Sequence, residues 1–119
     1  MAVPAVSVLM PVFNAERYVG EAIESILCQS FADFEVVVID DGSTDDSPNI
    51  LAGLAARDSR LRVLRQGNSG VVAALNRGLK DCRAPLVARM DADDVAHPER
   101  LEQQLAFMKA NPEIGRAHV

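Results

Sequence analysis

Four short apolar runs, each followed by a window of helical periodicity, constrain this chain more than any other feature. Val6-Ser7-Val8-Leu9-Met10, Phe34-Glu35-Val36-Val37-Val38-Ile39, Leu61-Arg62-Val63-Leu64 and Leu86 to Met90 have the length and apolar content of buried strands. After them, apolar residues recur at helical spacing: Val19, Ala22, Ile23, Ile26 and Leu27, then Ile50, Leu51, Leu54 and Ala55, then Val72, Leu75, Leu79 and Cys82, and last Leu101, Leu105 and Met108. Asn14 is placed to cap the first helix, one of Ser43, Thr44 and Ser47 the second, and Ser69 the third. Pro98 suits the first turn of the last helix, which is expected to stop near Asn111-Pro112. The predicted order is βαβαβαβα, an α/β fold with a mostly parallel sheet and helices on both faces. Ligands of such sheets bind at the carboxyl ends of the strands.

Bulk properties narrow the function. At 119 residues and 49% hydrophobic content, the chain suits one domain with a real core, free of repeats and low-complexity tracts. A formal net charge of -5, 4% aromatic content and no Lys or Arg run argue against a nucleic-acid partner. Cys28 and Cys82 form no CxxC pair and have no His at ligand spacing, which disfavours zinc and reads as two buried free thiols in a reducing compartment. Met1 to Phe13 lacks a basic n-region and is interrupted by Pro4 and Pro11, so it does not read as a signal peptide. No apolar run reaches the length of a membrane span, so the segment is expected to be soluble and cytoplasmic.

The residues after each predicted strand are polar or turn-forming: Pro11-Val12-Phe13-Asn14, Asp40-Asp41-Gly42-Ser43-Thr44-Asp45, Gln66-Gly67-Asn68-Ser69-Gly70, and Asp91-Ala92-Asp93-Asp94. Three carboxylates in four residues repel one another, and a divalent cation offsets that charge, which points to metal-assisted chemistry on a phosphate-bearing ligand. Each segment also has a plain structural reading. Ser43 to Asp46 suit a helix cap, and Gln66 to Gly70 suit a turn, since GxGxxG and GxxxxGK are both absent. Capping does not account for Asp40 and Asp41, which come straight off a buried strand. Phe13 suits either core packing or stacking on a flat base, whereas Tyr18, Phe31, Phe34 and Phe107 read as packing.

Val6 to Asn14, Ile26-Leu27-Cys28-Gln29-Ser30-Phe31, Val38 to Asp45 and Met90 to Asp94 together resemble the family 2 glycosyltransferases of GT-A fold, in order and in spacing. The resemblance runs from about Ala5 to about Gly115 and implies a Rossmann-like nucleotide-binding half as a single domain over 1–119. Arg116-Ala117-His118-Val119 departs from the pattern, and Ile114 to Val119 reads like a translated sequencing-adapter oligonucleotide, so the tail is expected to be non-native or truncated.

By that resemblance, Pro11, Phe13 and Glu16 border the nucleobase of a sugar nucleotide. Asp41 accepts a hydrogen bond from the uracil ring NH, with Asp40 beside it. Asp91 faces the ribose or the metal, and Asp93 binds Mg2+ or Mn2+ at the diphosphate, with Asp94 as a neighbour. Many relatives carry an Arg where this chain has Leu75, which leaves open the residue that meets the phosphates. The implied reaction is metal-dependent, inverting transfer from a UDP-sugar to the hydroxyl of a saccharide or lipid-linked acceptor, in cell-wall or polysaccharide synthesis. The general base of such enzymes lies beyond the acidic cluster. Here the only later acids are Glu99, Glu102 and Glu113, and none matches, so no catalytic base is assigned within this chain and the fragment alone is expected to be inactive. Any membrane association is expected from a C-terminal segment beyond this chain, at the cytoplasmic face.

Two alternatives remain at this level. Asp91-Ala92-Asp93-Asp94-Val95 also fits the DxDx[TV] nucleophile loop of haloacid-dehalogenase-like phosphotransferases, although that loop normally follows the first strand of its domain. The other is a non-catalytic module that binds a nucleotide or a partner protein through the same face.

Overall fold

The computed structural model describes residues 3–110. It contains β1 (Val6–Val12), α1 (Val19–Leu27), β2 (Phe34–Asp40), α2 (Ser47–Arg57), β3 (Leu61–Arg65), α3 (Val71–Asp81), β4 (Leu86–Arg89) and α4 (Arg100–Ala110). The predicted alternation is therefore the observed one. All strand pairings are parallel and the sheet order is β3-β2-β1-β4. The expected stop at Asn111-Pro112, Glu113 and the tail from Ile114 to Val119 lie outside the described residues.

Period-two alternation sorts each strand between two apolar layers. Val6, Val8, Met10 and Val12 of β1, Phe34, Val36 and Val38 of β2, and Leu86 and Ala88 of β4 face one layer, where α1, α2 and α4 contribute Ile23, Ile26, Leu51, Leu54 and Leu101. Leu9, Val37, Ile39 and Val87 face the other, where α3 supplies Ala74 and the half-buried Leu75 and Leu79. Because both faces are covered, all seven residues of β2 are buried, and the strand reads as an almost unbroken apolar run. Gly78 permits the close approach of α3: a Cβ there would collide with the Leu9 side chain and lie 3.2 Å from Ile39 Cγ1.

One carboxylate inside the α3 layer is fully provided with donors. Glu35, 2% exposed, accepts hydrogen bonds from the Ser7 hydroxyl, the Arg83 N–H at 2.8 Å and the guanidinium groups of Arg62 and Arg83 at 2.9 and 3.0 Å. Burial pushes its pKa up, and the Arg83 N–H, the Ser7 hydroxyl and Arg62 more than reverse this, so Glu35 titrates below its ordinary value.

Several local expectations are corrected. Asn14 does not cap α1; its φ is 48° and its side chain accepts the Thr44 N–H at 2.8 Å. Ser43 and Ser47 do not cap α2 either, because their hydroxyls accept the N–H groups of Asn14 and Ala15, each at 3.0 Å. The carboxylate of Asp45 serves the start of α2 by accepting the Ser47 N–H at 2.9 Å. Ser69 does not cap α3, since its hydroxyl donates to Gly67 O at 2.8 Å. Cys28 is exposed and Cys82 half-buried, so the thiols do not form part of a sealed core. Tyr18 and Phe107 are also mainly exposed, while Phe34 is buried with the Arg60 guanidinium 4.5 Å from its ring centre. Among the described residues, no helix is long and apolar enough to cross a membrane.

Glu35→Ala is expected to lower the unfolding free energy by about 2 to 3 kcal/mol, because it strands a hydroxyl, a backbone N–H and two guanidinium groups. The folded pKa of Glu35 lies below its unfolded one. Its contribution is therefore complete above the ordinary glutamate value of about 4.3 and is lost as pH falls through the lower folded value. Urea unfolding of wild type and variant should show a gap at neutral pH that narrows under acid; a gap of constant size would remove Glu35 as its source.

Candidate functional site

The parallel arrangement carries the loops after β1, β2, β3 and β4 to one edge of the sheet. The β1 and β2 loops are stitched together by backbone-to-side-chain bonds: Asn14 N–H to Ser43 Oγ, Ala15 N–H to Ser47 Oγ and Thr44 N–H to Asn14 Oδ1. The β2 and β3 loops meet at Gly42. Its φ is 77°, and a Cβ there would lie 2.7 Å from Asn68 N, so glycine is needed for both conformation and space.

Asp41, just past β2, organises the third loop. Its carboxylate is 4% exposed and accepts the Gln66 side-chain amide at 2.8 Å and the N–H groups of Ser69 and Gly70, both at 2.9 Å. Gly70 is the N-cap residue of α3, so Asp41 supplies from another loop the acceptor that Ser69 was expected to provide. The Gln66 amide is the largest influence on Asp41, followed by the Ser69 N–H; with the Gly70 N–H they outweigh burial and hold the pKa below its ordinary value. Asp41 is thus an anionic acceptor at neutral pH. A carboxylate offers about four acceptor positions and three are used, which leaves one for a ligand N–H.

A cavity of about 320 Å3 opens beside this carboxylate, walled by Pro11, Val12, Phe13, Asp41, Asn68, Gly70, Val71, Ala74 and Asp91. Four of the predicted residues, Pro11, Phe13, Asp41 and Asp91, therefore converge. Phe13 is 51% exposed, which decides against core packing and leaves its ring face available at the mouth. Asp40 and Glu16 do not line the cavity. Asp40 is buried, accepts the Ser43 N–H at 3.0 Å and pairs with Arg65 at 3.1 Å, a scaffold role that capping and ion pairing do explain. Glu16 accepts the Asp46 N–H at 3.3 Å while its own N–H donates to Asp45.

Sequence reasoning missed Asn68 and Gly70 as wall residues because Gln66 to Gly70 read as an ordinary turn, and Val71 and Ala74 because they belong to α3. The usable signal was Asp41 itself: a carboxylate leaving a buried strand needs donors, and a glycine-containing loop at the same edge can offer backbone N–H groups.

The carboxylates of Asp91, Asp93 and Asp94 each place an oxygen within 4.8 Å of the others, and all three residues are exposed. Asp91 pairs with Arg89 at 3.1 Å, Asp94 accepts the Asp91 N–H at 3.1 Å, and the Asp93 carboxylate has no hydrogen bond or ion pair among the described residues. Hard oxygen donors at this spacing suit Mg2+ or Mn2+, whose ligands lie about 2.1 Å from the ion. The donor set fits such a cation.

A parallel α/β sheet with an acidic cluster and a cavity at its strand ends has the architecture of the nucleotide-binding half of GT-A glycosyltransferases. The family model described as "Glycosyl transferase family 2" matches residues 7–116, and the chain belongs to that family. It is 42% identical over 106 residues to an uncharacterized glycosyltransferase of Rickettsia felis, covering 89% of this chain and 17% of that relative. S. aureus TarS 1-349, solved in complex with UDP, is similar at TM-score 0.81 and 34% identity, over 88% of this chain and 32% of that one. The mannosyltransferase PcManGT from Pyrobaculum calidifontis, solved with GDP-Man and Mn2+, is similar at TM-score 0.82 and 25% identity, over 91% of this chain and 33% of that one. The chain spans less than half the length of each of these proteins. Family membership leaves the haloacid-dehalogenase-like alternative without support.

Because Asp41 holds its loop as well as facing the cavity, Asp41→Ala is expected to destabilise the fold by about 1 to 3 kcal/mol even without ligand. Hydrogen exchange should show accelerated Ser69 and Gly70 amides. Unchanged exchange at both would mean that other groups hold the loop.

Proposed function

We propose that this chain is the donor-binding part of a glycosyltransferase that moves a sugar from a nucleoside diphosphate, UDP in particular, to an acceptor hydroxyl with inversion and with a divalent cation. The observation that carries the proposal is the cavity whose wall joins an anionic acceptor and an exposed ring, Asp41 and Phe13, to the carboxylate cluster through Asp91. One end has the chemistry to read a base and the other the chemistry to hold a cation beside phosphates. The ligands named for the similar structures, UDP for TarS and GDP-Man with Mn2+ for PcManGT, support the same division of the site. The higher identity of the UDP-bound neighbour favours uridine.

In this assignment Asp41 accepts the ring NH of the base, Phe13 and Pro11 flank its plane, and Asp91 lies toward the ribose. Asp93, aided by Asp91 and Asp94, would hold Mg2+ or Mn2+. When bound, such a cation supplies Lewis-acid stabilisation of the departing diphosphate, worth several kcal/mol. We assign no base to the acids after Asp94 in the described part of the chain; the Glu102 carboxylate accepts the Ser30 hydroxyl at 2.7 Å on the surface. The base that activates the saccharide or lipid-linked hydroxyl is assigned to the part of the longer protein not matched by this chain, as is any contact with a membrane surface from the cytoplasmic side.

Calorimetric titration with UDP, GDP and inorganic phosphate, with and without Mn2+, tests the assignment. UDP is expected to bind more tightly than GDP, to need Mn2+ for full affinity, and to lose that metal dependence in Asp93→Ala while the variant stays folded. Equal binding of free phosphate, or phosphorylation of Asp91 by a phosphate donor, would point to the phosphotransferase class instead.

A further inference from the structure

A diphosphate entering the cavity needs a cationic partner, and the cations at the strand-end edge are not equally available. Arg65 is held by Asp40 and by Ser43 O at 2.8 Å, and Arg77 donates to Arg65 O at 2.9 Å. Arg100 donates to Arg89 O at 2.8 Å, which fixes the end of β4. Arg17, in the loop between β1 and α1, has no hydrogen bond or ion pair among the described residues, and so none to a residue of the cavity wall. Arg65, Arg77 and Arg100 are thus engaged with backbone carbonyls or a buried carboxylate, and Arg17 is tied to no residue of the cavity wall.

Arg89 differs in each respect. It ends β4 in register with Leu9, so alternation puts its side chain on the α3 face with Leu9 and Val87. Its guanidinium pairs with the cavity-wall carboxylate of Asp91, at 3.1 Å, and both side chains are about half exposed. Such a pair is weak in water and readily exchanged. A guanidinium also matches the paired oxygens of a phosphate in a way that a point charge does not.

We propose, on the basis of the nucleotide-sugar site assigned above, that Arg89 is the diphosphate-binding cation, exchanging Asp91 for phosphate oxygens when the donor enters. The exchange turns a self-neutralised pair into two working groups. Arg89 meets the phosphate charge, and the released Asp91 carboxylate becomes free for the ribose or the cation. No other cation of the described residues is linked by an ion pair to a wall residue of the cavity among the bonds formed here.

The test compares UDP with uridine, which keeps the base and ribose but lacks phosphates, both titrated at one Mn2+ concentration into wild type, Arg89→Ala, Arg89→Lys and Arg17→Ala. Arg89→Ala is expected to weaken UDP about tenfold or more and to leave uridine unchanged, as befits loss of a charge-assisted bond. Arg89→Lys should fall between wild type and alanine, and it supplies the comparison if the alanine variant fails to fold. Arg17→Ala should match wild type for both ligands. Equal weakening of UDP and uridine, unaltered UDP binding, or a loss in Arg17→Ala as large as in Arg89→Ala would overturn the assignment. A wild-type chain that does not bind UDP would overturn the nucleotide-sugar site itself, whereas UDP binding that survives Arg89→Ala would remove Arg89 alone.

Discussion

A carboxylate shut away from water at the end of a central strand has to be given hydrogen-bond donors, and the way Asp41 obtains them shapes the functional edge of this protein. It draws on the Gln66 side chain and on the N–H groups of Ser69 and Gly70. Those bonds bring the β3 loop over the end of β2, set where α3 begins, and leave one wall of the cavity charged. Gly42 is the steric condition for the same contact, since no side chain fits between it and Asn68. The buried charge costs little once three donors face it, and it then remains an acceptor across the neutral range.

Adjacent acids divide the remaining tasks by the geometry of the strand they leave. Asp40 points toward Ser43 and Arg65 and holds the β2 loop, while Asp41 faces α3 and the cavity. The sheet is similarly asymmetric. Three helices seal one face and a single helix covers the other, so open space is left above the ends of β1 and β2 where α3 starts. At the opposite end of the same face, Glu35 binds Ser7, Arg62 and Arg83 and closes that layer. A site-bearing end and a closed end result from two buried carboxylates with different neighbours.

The order and type of all eight elements were legible because periodicity is a local property that covered sheets preserve. The caps were not. Asn14, Ser43, Ser47 and Ser69 have the right chemistry for the helix that follows each of them, yet their side chains bond across to other loops or within their own turn. A hydroxyl near a helix start has several donors within reach, and which one it meets depends on loops distant in sequence. Similarly, Tyr18 and Phe107 read as packing from their positions but lie mainly exposed.

The sequence by itself determined the α/β alternation, the polar strand ends and the acidic cluster, and the four ordered blocks were enough to place the chain among family 2 glycosyltransferases. It also named Pro11, Phe13, Asp41 and Asp91, which do meet in one cavity. Only the tertiary structure separated Asp41 from Asp40, withdrew Glu16 from the cavity wall, added the Asn68 to Ala74 wall and put Arg89 against Asp91. The reason is physical: residue type and spacing fix what a strand end can offer, whereas partners for a buried or crowded charge come from whichever loops the sheet order brings alongside it.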